Sequence, residues 1–77
     1  MDKPADTSRR TTNRQAFGAR VRELRKTAGL TQEALAGAAG MDRAFLVEIE
    51  AGRRNPSLDT IHRIADTLGV PVTDLFT

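Results

Sequence analysis

The sequence predicts an all-α fold, a compact five-helix arrangement around one core. Three observations carry that expectation. Apolar residues recur at helical spacings of three and four, glycines punctuate the segments, and no run alternates apolar and polar residues as a half-buried strand does. With 77 residues, 39% hydrophobic and 29% charged, the chain has material for one core and not for two.

Residues 1–12 are polar, with Pro4, Ser8, Arg9, Arg10, Thr11 and Thr12 and no apolar repeat to offset the entropy of ordering. They read as a flexible arm ahead of a domain over 13–77. Such an arm either touches DNA phosphate or a minor groove, or is a solubilising terminus, and the second reading is favoured. From about residue 14, Phe17, Val21, Leu24 and Ala28 form an apolar stripe on a first helix that exits at Gly29, with Leu30 packing back on the core. Gly18 is a local cost in that helix, explained if another helix crosses closely there.

Thr31 is placed to cap a second helix, with Glu33 in its first turn and Leu35 and Ala38 as a small inward face. Gly40 then permits a sharp turn. Asp42 is placed to cap a third helix reaching Glu50 or Ala51, with Leu46 and Ile49 inward, and Gly52 ends it. A fourth helix follows Ser57, where Leu58, Ile61, Ile64, Ala65 and Leu68 give an apolar face before Gly69. Val70 to Phe76 forms one last short helical turn, with Pro71 at its entrance.

The chain has no cysteine, one histidine (His62) and no phosphate-binding glycine loop or spaced metal-ligand cluster, so an enzyme is not expected and no cofactor or metal is implied. No apolar stretch approaches the length that spans a bilayer, and a cytoplasmic protein without a membrane partner or small-molecule ligand is the expectation. The formal net charge of +2, from 12 Lys+Arg against 10 Asp+Glu, decides nothing alone.

Gln32 to Glu50 has the layout of a short helix, a turn at Ala39-Gly40-Met41 and a second short helix, able to present the second helix to a DNA major groove. Arg43 lies just inside that helix, where a guanidinium can pair with guanine O6 and N7. Gln32 and Thr31, at the start of the supporting helix, are candidate phosphate contacts, with capping preferred for Thr31. Arg53, Arg54 and Asn55 follow the reading helix and are candidate phosphate contacts on its far side.

Leu30-Thr31-Gln32-Glu33-Ala34-Leu35-Ala36, Ala39-Gly40-Met41-Asp42-Arg43, Ile49-Glu50-Ala51-Gly52 and Arg54-Asn55-Pro56-Ser57-Leu58 resemble the Cro/C1-type (XRE, lambda-repressor-like) helix-turn-helix family over residues 14–76. The short chain also resembles the controller proteins of restriction–modification systems. The resemblance implies a homodimer that binds double-stranded DNA at a palindromic or nearly palindromic operator and regulates transcription, with RNA polymerase as a further partner. For the controller subgroup it implies regulation of the protein's own gene and the endonuclease gene. It places Arg43, Ala44, Val47 and Glu48 at base-contacting positions, and Arg25 and Glu50 in a scaffold salt bridge.

Glu48 either accepts from cytosine N4 or orients an arginine. Phe45 is read as core in preference to a sugar or thymine-methyl contact. Leu75 and Phe76 either seal the terminus or form a dimer interface. A competing function is a protein-interaction module, such as an antitoxin or co-regulator, on the same fold.

Overall fold

The computed structural model describes residues 5–77, with side-chain surroundings from residue 9 onward. Four α-helices, α1 (Ala5–Thr27), α2 (Gln32–Ala38), α3 (Arg43–Glu50) and α4 (Leu58–Leu68), are followed by a 3₁₀ turn over Val72–Phe76. No strand occurs among the described residues. The all-α, five-segment expectation therefore holds.

The first helix departs from its expected start. Within the stretch read as a flexible arm, residues 5–12 are helical and continuous with the domain, while residues 1–4 lie outside the described residues. No glycine or proline interrupts the chain from Ala5 to Phe17, and once a helix exists each added residue gains a backbone hydrogen bond without a new nucleus. An apolar stripe is needed to dock a helix, but not to extend one.

Phe17, Val21, Leu35, Leu46, Ile49, Ile64, Ala65 and Leu75 form the buried cluster, with Leu24, Leu30, Phe45, Ile61 and Leu68 packed at its edge. Its composition corrects three positions. Ala28 lies past the end of α1 and is exposed, so Leu30 makes that contact instead. In α2 the inward residues are Leu35 and Ala36, with Ala39 just beyond, and Ala38 is exposed. Ala38 sits about 200° around the helix from Ala36, so burial of one turns the other to solvent. Leu58 is 67% exposed for the same reason, because Thr60, two positions on, points inward.

Two helix starts are capped as their sequences imply. Thr31 Oγ1 accepts from Ala34 N at 3.0 Å and Ser57 Oγ from Thr60 N at 3.1 Å. Asp42 has the extended backbone of a cap, and its carbonyl accepts from Leu46 N, but its carboxylate makes no capping bond. That carboxylate is exposed, where hydration competes with the cap.

Gly18 sets how closely α1 crosses α3. A Cβ there would collide with Ile49 O and lie 2.7 Å from Glu50 O, both backbone atoms of α3 that cannot rotate away. The local helix penalty of a glycine, about 1 kcal/mol, thus brings the end of α3 against α1. Gly52 does two things at once. It turns the chain with φ +77°, and the space a Cβ would need is filled by Gln15 Cα at 2.8 Å.

Candidate nucleic-acid interface

The close crossing brings together residues 25 positions apart. Arg25 Nε donates to Glu50 Oε2 at 2.7 Å and its Nη2 to Glu50 Oε1 at 3.1 Å, while Nη1 donates to Leu30 O at 2.8 Å. Gln32 Nε2 adds a 3.0 Å hydrogen bond to Glu50 Oε1. The paired side chains are only 9% and 4% exposed, so this is a buried charge pair tying α1, α2 and α3 at one point. Arg25 and Glu50 thus form the scaffold pair implied by the resemblance. One amide hydrogen of Gln32, expected at a phosphate, is committed to that pair.

The turn from Ala39 to Asp42 sets α3 across the end of α2, with Leu46 and Ile49 anchored in the core. The opposite face carries Arg43 and Ala44, both exposed, and Val47 and Glu48, both half-buried. These are the four residues expected at base edges, and they lie on one continuous outward face. Arg43 makes no hydrogen bond or ion pair among the described residues.

The charges of α3 oppose its own dipole. A helix favours acids in its first turn and bases in its last, yet α3 has neither and begins with Arg43 while ending with Glu48 and Glu50. The two acids are compensated from outside the helix, Glu50 by Arg25 and Glu48 by Arg53. Arg43 has no such compensation. An unpaired cation at a helix start is unfavourable by about 0.3–1 kcal/mol.

Glu48 receives Arg53 side-on, Nε to Oε1 and Nη2 to Oε2, both at 3.1 Å. Hydrogen bonding to Arg53 holds the Glu48 carboxyl below its ordinary value of 4.5, and Arg53 is raised in turn. Of the two roles weighed for Glu48, orienting an arginine is the one the geometry displays. Since its pKa is lowered on pairing, the pair is fully formed above the ordinary carboxylate range and is lost as pH falls through the lowered value. An NMR titration following the Glu48 side-chain carbon should give a midpoint below 4.5, moving up toward that value in Arg53→Ala.

The remaining expected contacts fall around α3. Arg54 is exposed, with its guanidinium carbon 5.9 Å from the centroid of Phe45, whose half-buried ring packs against the core. Asn55 is exposed on the same loop. Thr31 is exposed at the start of α2, its hydroxyl oxygen occupied by the cap. At the C terminus the two candidate dimer residues separate. Leu75 is fully buried within its own chain and so is not available as an interface residue, because the 3₁₀ turn points it into the core. Phe76 stacks 5.2 Å from Phe17 and still leaves 64% of its surface open.

Three contributors were not identifiable from local spacing. Arg14 shares a shallow groove with Asn55, Pro56 and Phe76, which sets it beside the loop after α3. Gln15 packs under Gly52, and Arg20 Nε donates to Asp74 O at 2.7 Å, holding the terminal turn. Each partner is nearly forty or more residues away in sequence, where no periodicity reaches.

A family model described as a helix-turn-helix domain matches residues 16–75. The chain belongs to the helix-turn-helix family. Its relatives and structural neighbours place it with the HTH-type transcriptional regulators of the Cro/C1 (XRE) type. This helix-turn-helix chain is 46% identical over 56 residues to the HTH-type transcriptional regulator DdrOP3 of Deinococcus deserti, covering 73% of this chain and 43% of that protein. It thus spans less than half the length of that relative. It is 41% identical over 63 residues to the control protein C.BamHI of Bacillus amyloliquefaciens, covering 80% and 78% of the two chains. The crystal structure of the restriction–modification controller protein C.AhdI from Aeromonas hydrophila superposes with a TM-score of 0.83 at 42% identity, over 84% of this chain and 98% of that one.

No helix among the described residues is long and apolar enough to cross a membrane, and no group of three or more His, Asp or Glu among them is placed to hold a metal ion.

Proposed function

We propose that this helix-turn-helix protein is a homodimeric, sequence-specific DNA-binding regulator that acts on a palindromic or pseudo-palindromic operator and controls a restriction–modification system, including its own gene and the endonuclease gene. The observation that carries the reading is the outward face of α3, with an exposed and unpaired Arg43 beside Ala44 and Val47. Arg43 reads a base, Ala44 and Val47 offer apolar contact, and Glu48 works at the same face. Thr31, Gln32, Arg54 and Asn55 flank α3 and fix its depth through the DNA backbone. Likeness to C.AhdI and C.BamHI, which are named as controller and control proteins, supports the restriction–modification role.

A second copy supplies the second reading helix, as operator symmetry requires. Phe76, open to solvent at the terminal turn, is the apolar residue available for that pairing. RNA polymerase is the further partner of a regulator that activates.

Selection from random duplexes, followed by footprinting at fixed salt, tests the reading. The expected product is a two-fold symmetric site with half-sites one helical turn apart, bound by a dimer. A folded dimer that enriches no sequence would contradict it and favour the protein-interaction alternative.

A further inference from the structure

Resting on the DNA-reading role of α3, we propose that Glu48 is a positioning residue that makes Arg53 a second base reader, specific for a guanine in each half-site and distinct from the base read by Arg43.

The edge of the guanidinium that Glu48 uses decides which edge is left for DNA. Glu48 occupies Nε and one hydrogen of Nη2, at 3.1 Å each. That leaves the end-on edge, the Nη1 hydrogens and the outer Nη2 hydrogen, which is the edge that forks onto guanine O6 and N7. The carboxylate end of the pair is the more buried, 34% exposed against 62% for Arg53, so the base of the pair is held and its tip is open. Arg53 N also donates to Glu48 O at 2.9 Å, which fixes the backbone from which the side chain departs.

A phosphate clamp would be built differently. A lone arginine brings a full positive charge to the backbone and releases counterions, whereas a guanidinium already paired with a carboxylate brings almost none. What the pair offers in exchange is orientation, since one end of the fork is already immobilised before DNA arrives. Arg54, the next residue, makes no hydrogen bond or ion pair with a carboxylate among the described residues, acts on Glu48 only through its charge at a distance, and rests over Phe45. It suits the clamp that Arg53 does not.

The test measures affinity for all four bases at each operator position, together with the salt dependence, for the wild type, Arg43→Ala, Glu48→Gln, Arg53→Ala and the double variant Glu48→Gln/Arg53→Ala. All of these side chains are at the surface, and circular dichroism checks that each variant is folded. Arg53→Ala and Glu48→Gln are expected to lose preference at one and the same position, by about five- to hundredfold. The double variant is expected to be no worse there than Arg53→Ala alone, with the Arg43-dependent position intact and the salt slope unchanged.

A uniform loss over all sequences with the slope lowered by about one per protomer would make Arg53 a phosphate contact and overturn the proposal. So would a position relaxed by Glu48→Gln but not by Arg53→Ala, which would make Glu48 itself the reader. If the wild type showed no base preference anywhere, the broader DNA-reading role would fail. A preserved Arg43-dependent preference with no second position would remove this proposal alone.

Discussion

Replacing Glu50 with alanine is expected to destabilise the domain by about 3–5 kcal/mol, as removal of one member of a buried ion pair does. Arg25 would keep only Leu30 O as an acceptor, with its guanidinium still enclosed between α1 and α3. Gln32 would lose the same partner. A domain of 77 residues is stable by only about 4–12 kcal/mol in total, so the loss takes from about a quarter to all of that margin. Urea denaturation followed by circular dichroism reads this directly, and a loss below about 1 kcal/mol would mean the pair behaves as an exposed one.

The companion variant Arg25→Met/Glu50→Leu separates net attraction from the penalty of a stranded charge. Removing both charges and filling the space is expected to recover most of the lost stability. A DNA-binding defect in Glu50→Ala or Arg25→Ala alone would therefore report a displaced α3, not a lost DNA contact.

Arg43→Ala is expected to have the opposite profile, an unchanged fold and a large loss of selectivity. Arg43 is exposed and makes no hydrogen bond or ion pair among the described residues, alanine is the better helix former, and removing a cation from the start of α3 relieves an unfavourable dipole interaction. A bidentate guanine contact discriminates by about 1–3 kcal/mol, and a symmetric dimer makes it twice. The summed effect is roughly thirtyfold to more than ten-thousandfold on the operator. Arg43→Lys should recover little, because a single ammonium does not reproduce the planar fork.

Much of this domain was legible in the sequence because its signals are local. The Phe17–Val21 spacing, the Thr31 and Ser57 caps and the glycines that end the helices each act within a few residues. The face of α3 followed from Leu46 and Ile49 once these were placed inward. Gly18 was informative in reverse, as a penalty that only a close neighbour explains. The Ala5–Thr12 part of α1 was missed because it has no apolar stripe, and elongation of an existing helix needs none.

Long-range choices were the illegible part. Ala38 and Leu58 were turned outward by burial of residues two positions away, a rotation set by the other helices. Arg25 and Glu50 meet only through the crossing at Gly18, and family resemblance, not spacing, connected them. Glu48 and Arg53 are five residues apart, too far for a helical neighbour, and the turn at Gly52 brings them together. Leu75 and Phe76 are adjacent, and only the terminal turn decides that one is buried and the other open.

The role proposed for α3 is to read DNA sequence through Arg43. Its most direct test is a competition assay at fixed salt, with wild-type and Arg43→Ala protein each partitioned between the selected operator and unrelated duplex of equal length. The expected result is a wild-type preference for the operator that falls by at least about thirtyfold in Arg43→Ala, with affinity for the unrelated duplex unchanged within a few-fold. An equal loss on both duplexes, or an operator preference that survives the substitution, would contradict it.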